Sequence, residues 1–222
     1  KDYSSQHQAA CESGRAELPA MVKLGCELYL GDSTYNIDEL RALGVPRDRS
    51  GVLAPFHRVE EMVEAEADLE LLRALSDGAR NFLMVGRLAP NKAYLDLIDA
   101  FSACARMLDE PARLILVGKV DARLSRYNEA VHERIRALRL EQHVCWINAA
   151  SEAQLKAAYL ASHAFLLLSQ HEGFCVPLIE SMALSVPVIA RATTAIPETL
   201  GDAGILWQEA DPWLYAASAS RI

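Results

Sequence analysis

Two carboxylates separated by seven residues, Glu172 and Glu180, stand in the stretch His171-Glu172-Gly173-Phe174-Cys175-Val176-Pro177-Leu178-Ile179-Glu180. Pro177 has no amide hydrogen to give and its φ is already helical, so it suits the first turn of a helix. The apolar run Ala164-Phe165-Leu166-Leu167-Leu168 just before reads as a strand. The segment therefore predicts strand, loop and helix, with Glu172 in the loop and Glu180 inside the helix. Free amides at such a helix start attract anions, phosphates above all. Carboxylates flanking a phosphate-sized site can accept hydrogen bonds from hydroxyl-rich groups such as ribose and hexose.

Cations of matching use lie earlier in the chain. Asn81 to Val85 is an apolar run closed by Gly86 and Arg87, and Lys92 precedes a helical pattern with Tyr94, Leu97, Ile98, Phe101, Ala105 and Leu108 on one face. Gly86 permits a close backbone approach. The Arg87 guanidinium can clamp a phosphate bidentately, and the Lys92 ammonium acts as a point charge beside it.

These two segments resemble the Glu-x7-Glu and Gly-Arg-x4-Lys elements of retaining glycosyltransferases with the two-domain B fold (GT-B), specifically glycosyltransferase family 4 (group 1). The resemblance covers about Leu28 to Leu214 and is strongest from Asn81 to Gly204. It implies transfer of a sugar from a nucleotide-diphosphate-sugar donor to a hydroxyl acceptor with retention at the anomeric carbon. Arg87, Lys92 and Glu172 would then be the catalytic set, with Arg87 and Lys92 stabilising the charge of the leaving diphosphate. Glu180 would meet the ribose, Glu172 and the amides of Gly173, Phe174, Cys175 and Val176 the sugar, and Gly118, Asn148 and Ala149 the remainder of the nucleotide. No Asp-x-Asp pair occurs, which agrees with a metal-independent enzyme that needs no cofactor beyond its nucleotide-sugar substrate. Two other readings are a nucleotide-sugar 2-epimerase of the same fold, and a non-catalytic nucleotide-sugar-binding domain of a larger assembly. A glycosidase fits poorly, because its two carboxylates must face each other across one bond.

The elements that would position these residues alternate. Arg113 to Gly118 reads as a strand, Leu124 to Leu140 as an amphipathic helix with Val131, Ile135 and Leu138 inward, and Val144 to Ile147 as a strand. Ser151 caps a helix over Glu152 to Leu160, Val186 to Ala190 is a strand, and Pro197 to Leu200 is a short helix. Strands that are nearly continuous in apolar residues, alternating with helices, define an α/β fold: a Rossmann-like parallel sheet with helices on both faces. Ligands on such sheets bind beyond the carboxyl ends of the strands, where Arg87, Gly118, Asn148 and Glu172 all fall. Asn148 and Ser185 stand where the family usually has glycine. Asn tolerates a left-handed backbone, so the loop at Asn148 is expected to keep its shape, and Ser185 to alter only a turn.

The front of the chain differs. Cys26 to Asp32 reads as a strand, Asn36 to Leu43 as a helix stopped by Gly44, and Gly51 to Pro55 as a second strand. Residues 1–57 resemble the remnant of an N-terminal, acceptor-side domain with its hinge, and 58–222 the nucleotide-sugar-binding domain. The acceptor, a glycan or lipid-linked glycan, would be held by an N-terminal domain of which little is present, so the isolated chain is expected to be nearly inactive. The chain is expected to stop at Ile222 inside a final helix.

Composition narrows the classes further. The 222 residues are 51% hydrophobic and 23% charged, as in a soluble globular protein, and carry a net charge of −8, which argues against nucleic-acid partners. No apolar run reaches transmembrane length. The resemblance implies a cytoplasmic protein, with peripheral association at the inner face of a membrane within what it allows. Five cysteines (Cys11, Cys26, Cys104, Cys145 and Cys175) show no metal-ligand spacing and read as reduced thiols, Cys175 as a packing residue. Glu60, Glu61, Glu64, Glu66, Asp68 and Glu70 read as a solvated helix face; His57, His132, His143 and His171 lack metal spacing.

Overall fold

The structure, a computed structural model, describes residues 16–222. Cys11 and the first part of the 1–57 segment therefore lie outside the described residues. Residues 16–24 form helix α1. A small parallel pair follows, β1 (Tyr29–Gly31) and β2 (Ser50–Val52), joined through α2 (Thr34–Ala42). The Ser33 side chain caps α2 by accepting from the Asn36 amide.

The main body is one six-stranded, wholly parallel sheet in the order β5-β4-β3-β6-β7-β8. Its strands are β3 (Arg80–Val85), β4 (Ala112–Val117), β5 (Val144–Ile147), β6 (Ala164–Leu167), β7 (Val188–Arg191) and β8 (Gly204–Trp207). The helices between them are α5 (Tyr94–Met107), α6 (Ser125–Ala137), α7 (Glu152–Leu160), α8 (Val176–Ala183) and α9 (Ile196–Leu200), with α3 (Val59–Glu64) and α4 (Leu69–Leu75) before and α10 (Pro212–Ala219) after. Alternation along each strand makes two cores. Phe82 and Met84 of β3 face one cluster with Leu97, Phe101, Val131 and Tyr215. Leu83 faces the other, with Tyr159, Phe165, Leu178 and Ile196. The expected Rossmann-like sheet covered on both faces is what forms.

Chain order reverses between β3 and β6. From β3 the strands run outward through β4 to β5; β6 then returns to the other side of β3 and the rest run the opposite way. The loops after β3 and β6 must diverge there, which opens a crevice at their carboxyl ends. Those loops carry Arg87 and Lys92, and Glu172.

Several boundaries differ from the sequence reading. The acidic stretch is not one helix: Asp68 turns inward and caps α4 by accepting from the Leu71 amide, so the chain breaks between α3 and α4. β8 went unread because only Gly204 to Trp207 is extended and Gly and Trp frame it. In the β5–α7 loop the left-handed residue is Ala149 (φ 52), not Asn148; the Asn148 carboxamide oxygen instead accepts from the Val120 amide at 3.4 Å. Ser185 itself adopts φ 57, preserving the turn that glycine would make there. Among the described residues no helix is long and apolar enough to cross a membrane.

Gly118, just past β4, is fixed by contact. A Cβ there would stand 2.0 Å from the Gly86 carbonyl oxygen, a backbone atom that cannot yield. Gly118→Ala is expected to destabilise the fold by about 2 kcal/mol or more by overpacking. Gly51→Ala, whose Cβ would meet nothing closer than 4.0 Å, is expected to shift stability by less than about 0.5 kcal/mol. Urea midpoints of the two variants measure the difference.

Candidate active site

The loop after β3 is built to deliver Lys92. A 3₁₀ turn over Pro90–Lys92 is followed by Ala93 in the left-handed region (φ 50), and α5 starts at once. Tyr94, fully buried, donates its hydroxyl to the Gly86 carbonyl at 2.6 Å, while its amide donates to the Tyr127 hydroxyl at 2.9 Å. These bonds tie the start of α5 to the end of β3, and the Lys92 stem runs past Gly86.

The loop after β6 delivers Glu172, and the loop after β7 braces it. The Glu172 amide donates to Thr194 Oγ1 at 2.9 Å, and that hydroxyl lies 2.9 Å from the Glu172 carbonyl. Thr193 Oγ1 donates to the Ser169 carbonyl, and Thr199 Oγ1 to the Phe174 carbonyl, each at 2.6 Å. Asn91 holds the two loops together, accepting from the Gln170 amide at 2.8 Å and donating to the His171 carbonyl at 3.3 Å. At the crossing, Lys92 Nζ lies 2.6 Å and 2.7 Å from the two carboxylate oxygens of Glu172. The Glu172 side chain is 7% exposed and that of Lys92 19%. A carboxylate this deeply buried needs its cation.

Glu180 sits one helical turn deeper, also buried. Its Oε2 accepts from the Tyr159 hydroxyl at 2.7 Å, and its Oε1 lies 3.2 Å from His57 Nε2. It opens on a cleft of about 310 Å³ bounded also by Arg58, Glu61, Met62, Glu152 and Leu155. Glu152 begins α7 directly after the Asn148 loop, so this hollow adjoins that loop. Cys175 lies between the two carboxylates. Burial first, then the Glu172 charge, push its thiol up to about 12, against a smaller opposing pull from Lys92. It therefore stays neutral, and packs in the core as expected, although it stands at a helix start. Its backbone is left-handed (φ 76, ψ 72), an arrangement that costs an L residue about 1–2 kcal/mol.

The structure thus brings Lys92, Glu172 and Cys175 together, with Gly173, Phe174 and Val176 on the same turn and Glu180 just beyond. Arg87 is exposed at the mouth of the β3 loop, near enough to Asp121 to help lower its carboxyl. Hydrogen bonds from Arg123 dominate that lowering, to about 2. Asn148 and Ala149 are exposed on the loop after the edge strand β5, at the same carboxyl edge of the sheet but two strands from Arg87. Glu172 offsets the charge of Lys92. Sequence reading missed Tyr159 and His57, since nothing in the spacing connects either to Glu180; Thr193 and Thr194 fall in a loop that the family resemblance places near the donor site, but no motif there foretells the brace they make. Among the described residues no group of three or more His, Cys, Asp or Glu is arranged to hold a metal ion.

The front segment reaches this site. Glu198 of α9 accepts from the Thr34 amide at 2.9 and 3.0 Å and from its hydroxyl at 2.9 Å, filling the start of α2. Tyr35 meets the His171 ring edge-on, with centroids 5.9 Å apart. A Cβ on Gly173 would stand 3.4 Å from Asp32 Oδ2 and 3.6 Å from Asn36 Oδ1, so the front segment covers the Glu172 loop.

A parallel sheet with this strand order opens a charged crevice at its reversal point, the place where open α/β sheets bind ligands. The profile of the family described as glycosyl transferases group 1 matches residues 73–218, and the chain belongs to that family. Mannosylfructose-phosphate synthase of Agrobacterium fabrum (strain C58 / ATCC 33970) is 34% identical over 180 residues, which make up 79% of this chain and 40% of that protein. The serotype-specific mannosyltransferase WbdA of Escherichia coli is 30% identical over 122 residues, 55% of this chain and 14% of that protein. Among solved structures, Anabaena HepE in complex with UDP and glucose superposes with a TM-score of 0.81 at 19% identity, covering 93% of this chain and 57% of that one. Sucrose-phosphate synthase of Thermosynechococcus elongatus gives 0.73 at 19% identity, covering 89% and 49%. The GT-B fold is shared, and the chain spans less than half the length of these curated relatives.

Two outcomes follow from this geometry. Lys92→Met leaves the Glu172 carboxylate buried without its cation and is expected to cost about 3 kcal/mol, whereas Arg87→Ala, at an exposed side chain, is expected to cost less than about 0.5 kcal/mol; thermal unfolding compares them. Under a thiol reagent at pH 8, peptide mapping is expected to find Cys26 modified and Cys175 protected, since Cys26 is exposed and the Cys175 thiol is both buried and neutral.

Proposed function

We propose that this chain is the donor-binding half of a retaining glycosyltransferase of family 4, and that it grips a nucleotide-diphosphate sugar in the crevice between β3 and β6. The observation that carries the proposal is the Lys92–Glu172 pair at the point where strand order reverses. Lys92 has three donors, of which Glu172 engages two, and the third is left for a diphosphate oxygen. Arg87 at the mouth adds a fork for the same group. As the bond to the sugar breaks, negative charge gathers on the diphosphate, and fixed cations in a partly buried site stabilise it. Glu172 has lone pairs beyond those facing Lys92, and with the amides of Gly173 to Cys175 they suit sugar hydroxyls. Glu180, opening on the cleft beside the Asn148 loop, suits the ribose, with Asn148 and Ala149 toward the base and Gly118 beneath the diphosphate. No metal ion and no cofactor enters this scheme, since the charge is met by Arg87 and Lys92.

The family membership and the UDP and glucose bound to HepE support a nucleotide sugar as donor. The reading assigns residues 1–57 to the end of an acceptor-side domain and 58–222 to the donor domain. The front segment exposes Leu24, Leu28, Leu30, Leu53 and Phe56, and exposed apolar side chains of this kind support a further domain packing there and holding a glycan or lipid-linked acceptor. In this reading the whole protein works in the cytoplasm, at the inner face of a membrane where such acceptors are extended.

Calorimetry with UDP-, GDP- and ADP-sugars is expected to find at least one donor that binds, and Arg87→Ala with Lys92→Ala to weaken it about 100-fold or more. Absence of binding by all three, or undiminished binding by the double variant, would contradict the proposal. The isolated chain is expected to bind donor yet transfer sugar at a rate near background.

A further inference from the structure

The short helix α9 holds two other parts of the protein. On one side it is bound to the turn that carries Glu172. Thr199 Oγ1 donates to the Phe174 carbonyl at 2.6 Å, and the Ala195 amide lies 3.4 Å from the Glu172 carbonyl. On the other side Glu198 grips the front segment. Both of its oxygens accept from the Thr34 amide, and one also accepts from the Thr34 hydroxyl. Thr34 opens α2, so its amide has no acceptor within the helix, and a carboxylate is the partner such an end favours. The front segment rests on the same turn, with Tyr35 against the His171 ring and the ends of Asp32 and Asn36 beside Gly173. The turn from His171 to Phe174 is therefore held by α9 and by the front segment, and Glu198 ties these two together. Among the described residues no group accepts from the amides of Gly173, Phe174 or Cys175. Open donors serve a ligand well only while the backbone carrying them keeps its shape.

We propose that Glu198 is a positioning residue for the sugar half of the donor. By clasping the start of α2 it seats Asp32, Tyr35 and Asn36 against the Glu172 turn, and the seated segment keeps the open amides in place. The inference rests on the reading of that turn as the sugar site, and it goes beyond it. Grip on the sugar depends on how the front segment sits, while grip on the diphosphate, made by Arg87 and Lys92, does not.

Two substitutions open the clasp from opposite sides. Glu198→Ala removes the acceptors. Thr34→Pro removes both donors yet suits α2, because proline favours the first helical position and Ser33 before it is already extended (φ −152, ψ 166). Calorimetry on the full chain compares UDP, GDP and ADP with their sugars. Each variant is expected to weaken nucleotide-sugar binding about threefold or more and to keep nucleoside-diphosphate affinity within about twofold, which also shows that it folds. The double variant is expected to lose no more than either single one, since both remove the same contact. In the free chain, thiol labelling of Cys175 is expected to quicken about threefold or more in both variants, while Cys104 in the opposite core stays protected. If only Glu198→Ala acts, the residue works on the donor without α2 and the clasp is overturned. If nucleotide and nucleotide sugar weaken together, the role is structural and the positioning is overturned. Unchanged sugar binding in both variants overturns the clasp and leaves the donor reading standing. If no nucleotide sugar binds the unaltered chain, the donor reading falls and takes this inference with it.

Discussion

The buried ion pair between Lys92 and Glu172 is the constraint around which the rest of this site is organised. Two chain segments leave adjacent parallel strands in diverging directions, and the pair joins them where they part. Isolated, either charge would be intolerable at that depth. Together they fix the loop after β3 against the loop after β6 and set two functional groups within bonding distance. The neighbouring sequence serves this placement. Gly118 leaves room for the Gly86 carbonyl, Tyr94 binds that carbonyl, Asn91 links the two loops, and Thr194 clips the backbone of Glu172.

A second carboxylate lies in the same motif under different rules. Glu180 has no cation of comparable closeness; it is oriented by a phenol and approached by an imidazole. The two acids are thus differentiated by their partners, one matched to an ammonium and one left with free acceptor positions toward a cleft. Cys175 between them registers both charges and the scarcity of water in its raised thiol. The front segment adds a third contact through Glu198, whose carboxylate occupies the start of α2 and draws Asp32 and Asn36 over Gly173. Changes in how that segment sits would therefore be felt at the Glu172 loop.

Much of the fold was legible because the periodicities were strong. The continuous apolar runs at β3, β4 and β6 read as buried strands, and the Ser151 cap marked α7 to the residue; the Gln154 half of its capping box appears only in the structure. Glu172, Lys92 and Glu180 were legible because Pro177 and Gly86 announce loop and helix boundaries around them. The acidic stretch misled because local charge pattern says nothing of Asp68 turning back to cap α4. The left-handed position moved from Asn148 to Ala149, since loop geometry is set by the strand and helix it joins and only loosely by residue type. Tyr159 and His57 were invisible for a different reason. Their relation to Glu180 exists only after α7, α8 and the segment before α3 have packed together.

Membership in the glycosyl transferases group 1 family and the geometry of the crevice meet in one claim: a cationic and an acidic group, locked together at the reversal of strand order, receive a nucleotide sugar by its diphosphate. The most direct test is a crystal of this chain soaked with a panel of nucleotide sugars. The account predicts diphosphate density at the carboxyl ends of β3 and β6, in contact with Arg87 and Lys92, with the sugar toward Glu172 and the ribose at Glu180. Density for the diphosphate at any other place on the surface, with the Lys92–Glu172 crevice untouched by it, would contradict the account.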